Sequence, residues 1–72
     1  MMLKRTRNAL TYKNAERGTK DNHTFIRLPT WDTQTVVYRH GKTLYMETPF
    51  ERFEWTPTKT ERQSRRWELW RS

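Results

Sequence analysis

Thr58-Lys59-Thr60-Glu61-Arg62-Gln63-Ser64-Arg65-Arg66-Trp67-Glu68-Leu69-Trp70 can be read in two ways. Thr58 and Glu61 match the capping box, in which an N-cap Thr and a Glu three residues on satisfy each other's free backbone donors. That reading starts a helix at Thr58 and carries it to about Trp70. Trp67 and Trp70 then share one helical face, and Arg62, Arg65 and Arg66 form an arginine-rich face. The rival reading is a strand through residues 65–70, where Trp67 and Leu69 alternate with charged residues. The capping signal favours the helix, and its two tryptophans are the natural cover for the apolar face of a sheet.

That sheet is announced upstream. Residues 35–48, Thr35-Val36-Val37-Tyr38-Arg39-His40-Gly41-Lys42-Thr43-Leu44-Tyr45-Met46-Glu47-Thr48, read as a β-hairpin, with β-branched and aromatic residues in both arms and glycine between them. Either His40-Gly41 (type I′) or Gly41-Lys42 (type II′) serves as the two-residue turn, because glycine takes positive φ at little cost and histidine is enriched there. In both registers Val37, Leu44 and Met46 share one face, and Val36, Tyr38 and Tyr45 the other. Pro49 breaks the second arm, and residues 50–56 alternate again. A turn at Pro49-Phe50 brings Met46 near Phe53 and Leu44 near Trp55 on the Val37 face, and Glu47 beside Arg52 on the other. Residues 23–28 are a further strand, ended by Pro29.

The expected fold is therefore α+β: an antiparallel sheet of three or four strands with a C-terminal helix packed on one face. Residues 1–20 read as a basic N-terminal arm or short helix, with residues 8–17 helical and Gly18 at the end. Residues 21–72 form the small core domain. With 72 residues there is room for one thin core, since a chain this size buries only about 60% of its unfolded surface. There is no cysteine, hence no disulfide and no thiolate metal site, which suits the cytoplasm. No apolar run approaches the length of a membrane span, and the charged N-terminus lacks the apolar region of a signal peptide.

Charge is the strongest functional signal. Lys and Arg total 15 against 8 Asp and Glu, a net charge of +7. The excess sits at the ends: residues 1–20 hold six basic groups against Glu16, residues 21–60 are balanced, and residues 61–72 hold Arg62, Arg65, Arg66 and Arg71 against Glu61 and Glu68. Such a distribution favours a polyanionic partner.

The order of these segments carries a resemblance. A basic helix-like segment ending in Gly18 is followed by Asn22-His23-Thr24-Phe25, then by residues 35–42 with His40-Gly41 in the hairpin. Trp55-Thr56-Pro57-Thr58-Lys59-Thr60-Glu61-Arg62 then precedes the C-terminal segment. In this the chain resembles short accessory proteins encoded by tailed-bacteriophage genomes. The resemblance implies a viral accessory protein, in the host cytoplasm, and brings no activity with it.

No catalytic constellation stands out. His23 and His40 are the only histidines and Ser64 and Ser72 the only serines, none in a nucleophile-elbow context. The two glycines make no phosphate-cradling loop. His23 with Asp21 is too little for a metal, so neither enzyme nor cofactor is expected. Tyr38 and Tyr45 can stack on bases, but Glu47 and Glu54 share their face and carboxylates repel phosphates. The basic ends are therefore the expected nucleic-acid-binding groups: Lys4, Arg5 and Arg7 in the arm, Arg62, Arg65 and Arg66 on the helix, making backbone contacts to DNA or RNA. The alternative is a viral protein-binding module that inhibits a host or defence protein, with Trp31, Tyr38 and Tyr45 as its contacts. A structural or assembly component is a third reading.

Overall fold

A computed structural model describes residues 3–21 and 23–72. The elements run β1 (Lys4–Leu10), α1 (Tyr12–Gly18), β2 (Thr24–Arg27), β3 (Val36–His40), β4 (Thr43–Glu47), β5 (Arg52–Glu54), α2 (Lys59–Gln63) and β6 (Trp67–Arg71). The six strands make one sheet in the order β1-β6-β2-β3-β4-β5, and every neighbouring pair is antiparallel. The three- or four-stranded sheet with a C-terminal helix is thus overturned. The last segment is a strand, inserted between β1 and β2.

The capping box exists as expected. Thr58 Oγ1 accepts from the Glu61 backbone N–H at 3.2 Å, and Glu61 Oε1 accepts from the Thr58 N–H at 2.8 Å. But α2 ends at Gln63, and Ser64 turns extended at φ −66°, ψ 142°. A helix of one or two turns contributes little on its own. Trp67 gains more in the sheet, where it is fully buried and its indole N–H donates to the Glu61 carbonyl at 2.9 Å. Extending α2 would also strip β1 and β2 of their common partner, with which they form eight Cα pairs along β6.

Residues 4–18, read above as a basic arm or short helix, supply β1 and α1. β1 has almost no apolar alternation, and Leu10 is its only buried residue. It is held as an edge strand by β6, with irregular register between Arg5 and Arg7 and between Arg7 and Leu10. Ala9, at φ 54°, takes the left-handed backbone that lets a bulged strand turn. α1 begins at an N-cap, Thr11, whose side chain accepts from the Asn14 N–H, and it reaches Gly18 rather than stopping before it. A Cβ at Gly18 would lie 2.6 Å from Leu69 Cδ1, so glycine is what lets this turn of helix settle onto β6.

The hairpin follows its sequence pattern. His40 pairs with Thr43, so Gly41-Lys42 is the turn, with Gly41 at φ 65°. His23, not His40, is the histidine at positive φ, 62°. Met46 pairs with Phe53 and Glu47 with Arg52, and the Trp55 N–H donates to the Leu44 carbonyl at 2.9 Å.

The core lies on the face under α1. Ala15, Ile26, Val37 and Trp67 are fully buried, with Leu10, Leu28 and Trp55 beside them. Trp31 reaches in from the β2–β3 loop, its ring edge-on to Trp55 and to Trp67 at 6.0 and 5.3 Å between centroids. Tyr12 of α1 closes the cluster at 5.4 Å from Trp67. Cover thins toward the far edge. Leu44 and Met46 are half-buried, and Phe53 is 39% exposed rather than part of the core.

Candidate functional site

The opposite face of the sheet has no helix over it. α1 packs on the Leu69 side and α2 packs against α1. Residues on the open face are set by strand parity. In β6 these are Glu68 and Trp70, in β2 Phe25 and Arg27, in β3 Val36 and Tyr38, in β4 Tyr45 and Glu47.

Register brings six of the open-face residues into one row across all six strands. Arg5 pairs with Trp70, Trp70 with Phe25, Tyr38 with Tyr45 and Tyr45 with Glu54. Phe25 and Tyr38 are joined by the neighbouring pair Ile26–Val37 and by an edge-on ring contact at 5.8 Å. Tyr38 and Tyr45 stack at 6.2 Å. Four half-buried aromatic rings therefore stand on four adjacent strands, with a basic residue at one end and an acidic one at the other.

The acidic residues of this face are not equivalent. Glu68 is buried and already neutralised: it accepts from Arg5 at 3.2 Å, from Arg27 at 3.3 Å and from the Trp70 indole N–H at 3.1 Å. Two guanidiniums against one carboxylate leave the Arg5–Trp70–Phe25 end positive. Arg5 keeps half its side-chain surface in solvent, so it has donors to spare. Glu54 lies at the other end, on β5, while Glu47 of β4 lines a pocket together with Phe25 and Trp70.

Beyond Arg5, the basic charge continues along the sheet edge. Lys4 sits directly opposite Arg71 in the β1–β6 ladder, a like-charge pairing that costs stability unless an anion relieves it. Lys4, Arg7 and Arg71 are exposed, but their ladder positions, Lys4 opposite Arg71 and Arg7 opposite Leu69, put them on the α1 side of the sheet, behind the row; the three ion pairs among the described residues, Arg5–Glu68, Arg27–Glu68 and Arg39–Glu16, use none of them.

The other expected residues are placed apart. Arg62 is on α2 and lines a cleft of about 600 Å³ with Tyr12, Glu16, Arg39 and Lys42. Arg65 and Arg66 follow the end of α2 and precede β6, so the shared arginine face of a longer helix does not exist. They lie at the Trp67 end of β6, roughly a full strand length, on the order of 15 Å, from Arg71. Trp31 belongs to the core cluster rather than to an exposed contact surface. Tyr38 and Tyr45 are on the open face as read. Trp70 and Phe25 are the site residues that the sequence reading missed. The signal for Trp70 was the alternation Trp67, Glu68, Leu69, Trp70, in which strand parity separates the two tryptophans.

In the α1 cleft, burial first, and then the Glu16 carboxylate, raise the Tyr12 phenol above its ordinary value, with Arg62 and Arg39 pulling it back. Among the described residues no group of His, Asp or Glu is arranged to hold a metal ion, and no helix is long and apolar enough to cross a membrane. The chain matches no family model, no curated protein and no solved structure.

Proposed function

We propose that the protein is a small non-enzymatic module that binds single-stranded nucleic acid on the open face of its sheet. The observation that carries this reading is the row Arg5–Trp70–Phe25–Tyr38–Tyr45, basic at the β1 edge and aromatic across four strands. Base–aromatic stacking tolerates any sequence because every base has a π-face, and a basic groove tracks the backbone. Phosphates follow Arg5 and, round the exposed edge strand β1, Lys4 and Arg7; bases lie over Trp70, Phe25 and Tyr38. Arg62, Arg65 and Arg66 are set aside as backbone contacts of this site, because they stand at its far end or on its far side. A row of exposed ring surface suits unpaired bases, whereas in duplex DNA the base faces are already stacked.

The test is a competition. A labelled single-stranded 12-mer is bound at low salt, then challenged with the same sequence as single strand and as duplex. The single strand is expected to displace the probe at lower concentration. Equal or better displacement by duplex contradicts the reading.

A second reading, a protein-binding module, draws on a different surface. Phe50 is 94% exposed at the tip of the β4–β5 turn, and Phe53 is partly exposed on edge strand β5. Phe50→Ser with Phe53→Ser abolishes capture of a nuclease-resistant partner under this reading and leaves oligonucleotide binding intact under the first.

A further inference from the structure

The row has an opening. Phe25 and Trp70 are Cα partners on adjacent strands, yet their rings do not pack on each other. The Trp70 indole is drawn along its own strand to Glu68 by the 3.1 Å hydrogen bond. The two rings instead line a pocket of about 530 Å³, together with Leu3, Val36, Arg27, Thr33, Gln34 and Glu47. We propose that this pocket recognises one unstacked base with an amino group at the pyrimidine 4- or purine 6-position, cytosine or adenine, in the bound single strand. The proposal rests on the reading of the open face as a single-strand site.

Three observations support it. Glu47 accepts no hydrogen bond and joins no close ion pair among the described residues; its cross-strand partner Arg52 attracts it at longer range while donating to the Tyr38 hydroxyl at 3.2 Å. A carboxylate with its hydrogen-bond acceptors unused repels phosphates and accepts from a base amino group, so it selects the base over the backbone. A cytosine amino group is what Glu accepts, and Gln binds adenine through its amino and ring nitrogens. Thymine and uracil present a carbonyl at the same position and are disfavoured beside a carboxylate.

The pocket lining is also built to stay in place. Arg27, itself buried, donates to the carbonyls of Trp31 at 2.6 Å, Asp32 at 2.8 Å and Thr35 at 3.4 Å while it pairs with Glu68. The Gln34 N–H donates to Asp32 Oδ1 at 2.9 Å. The loop that carries Thr33 and Gln34 is thereby tied to β2 and β6. Arg27 is a positioning residue, with its donors spent on the protein.

The experiment compares fluorescein-labelled 12-mers of oligo-dC, oligo-dA and oligo-dT on the full chain by anisotropy, for the wild type and for the double variant Gln34→Ala, Glu47→Ala. Both positions are exposed, and circular dichroism checks that the variant is folded. The wild type is expected to bind oligo-dC or oligo-dA about fivefold or more tighter than oligo-dT, as one good base-edge contact gives. The double variant is expected to bind all three alike, with oligo-dT affinity no weaker than wild type. Equal wild-type affinities, or a preference that survives in the double variant, overturn the pocket while leaving the single-strand site standing. No binding to any of the three overturns both.

Discussion

Trp67 and Trp70 stand three residues apart on β6 and on opposite faces of the sheet. Trp67 is fully buried against Tyr12, Trp31 and Trp55. Trp70 lies half-exposed beside Phe25, with its indole N–H on Glu68. One residue serves the core and the other the open surface, and substitution separates the two roles. Trp67→Ala is expected to destabilise by about 3–5 kcal/mol, a large part of what a domain this size has. Trp70→Ala is expected to cost only about 1 kcal/mol. Urea unfolding followed by circular dichroism measures both. Similar losses for the two contradict the placement.

Glu68 and Arg27 form an ion pair at 3.3 Å in which each side chain is only 8% exposed. Removing one partner leaves a buried charge, so Glu68→Ala is expected to cost about 3–5 kcal/mol, whereas Arg27→Met with Glu68→Leu recovers only part of that loss, because the carbonyls of Trp31, Asp32 and Thr35 also lose their Arg27 donors. A double-mutant cycle in urea reads the difference. Additive losses contradict the pairing.

Thr58 caps α2 through both bonds of the capping box. Thr58→Ala is expected to cost about 1 kcal/mol and Thr58→Ser little. Because α2 covers the Trp67 indole N–H through the Glu61 carbonyl, the Ala variant also shifts tryptophan fluorescence. An unchanged midpoint and an unchanged emission spectrum contradict this coupling.

The Tyr12 phenol is raised in the folded state by burial and by Glu16. Its neutral form is the one that fits the cleft, so the unfolded chain loses this proton first as pH rises. The contribution is fully present below the ordinary phenol value of about 10 and is lost as pH climbs through the higher folded-state value. Tyr12→Phe therefore flattens the alkaline fall in stability. Denaturation midpoints between about pH 8 and 11, wild type against variant, test this. Parallel curves contradict it.

How much of this was legible depends on which forces act locally. The 35–48 hairpin was readable because Gly41 and the alternation around it specify a turn and the residues that share each face within one segment; the choice between His40-Gly41 and Gly41-Lys42 was left to the structure. The cap at Thr58 was readable for the same reason. The end of α2 was not, because it is decided by the burial of Trp67 among Tyr12, Trp31 and Trp55, which come from three distant segments. β1 was not readable at all: Lys4 to Ala9 is exposed throughout and is a strand only because β6 offers it a ladder. The open-face row inherits both difficulties. Arg5 and Trp70 meet only if residues 4–10 and 67–71 are strands, so a reading with an arm and a helix there separates them.

The most direct test of the single-strand site is the salt dependence of oligonucleotide binding in wild type, in Trp70→Ala and in Lys4→Gln, Arg5→Gln. Three contacts on edge strand β1, Lys4, Arg5 and Arg7, at about 0.7 released counterions each give a log–log slope of roughly −2 on single strands. The Lys4→Gln, Arg5→Gln variant is expected to lower its magnitude by about 1.4. Trp70→Ala is expected to keep the slope and weaken binding by about tenfold, as loss of one stacking platform does. Folded wild type with no affinity for a single-stranded 12-mer at low salt, or Trp70→Ala binding as tightly as wild type, contradicts the account.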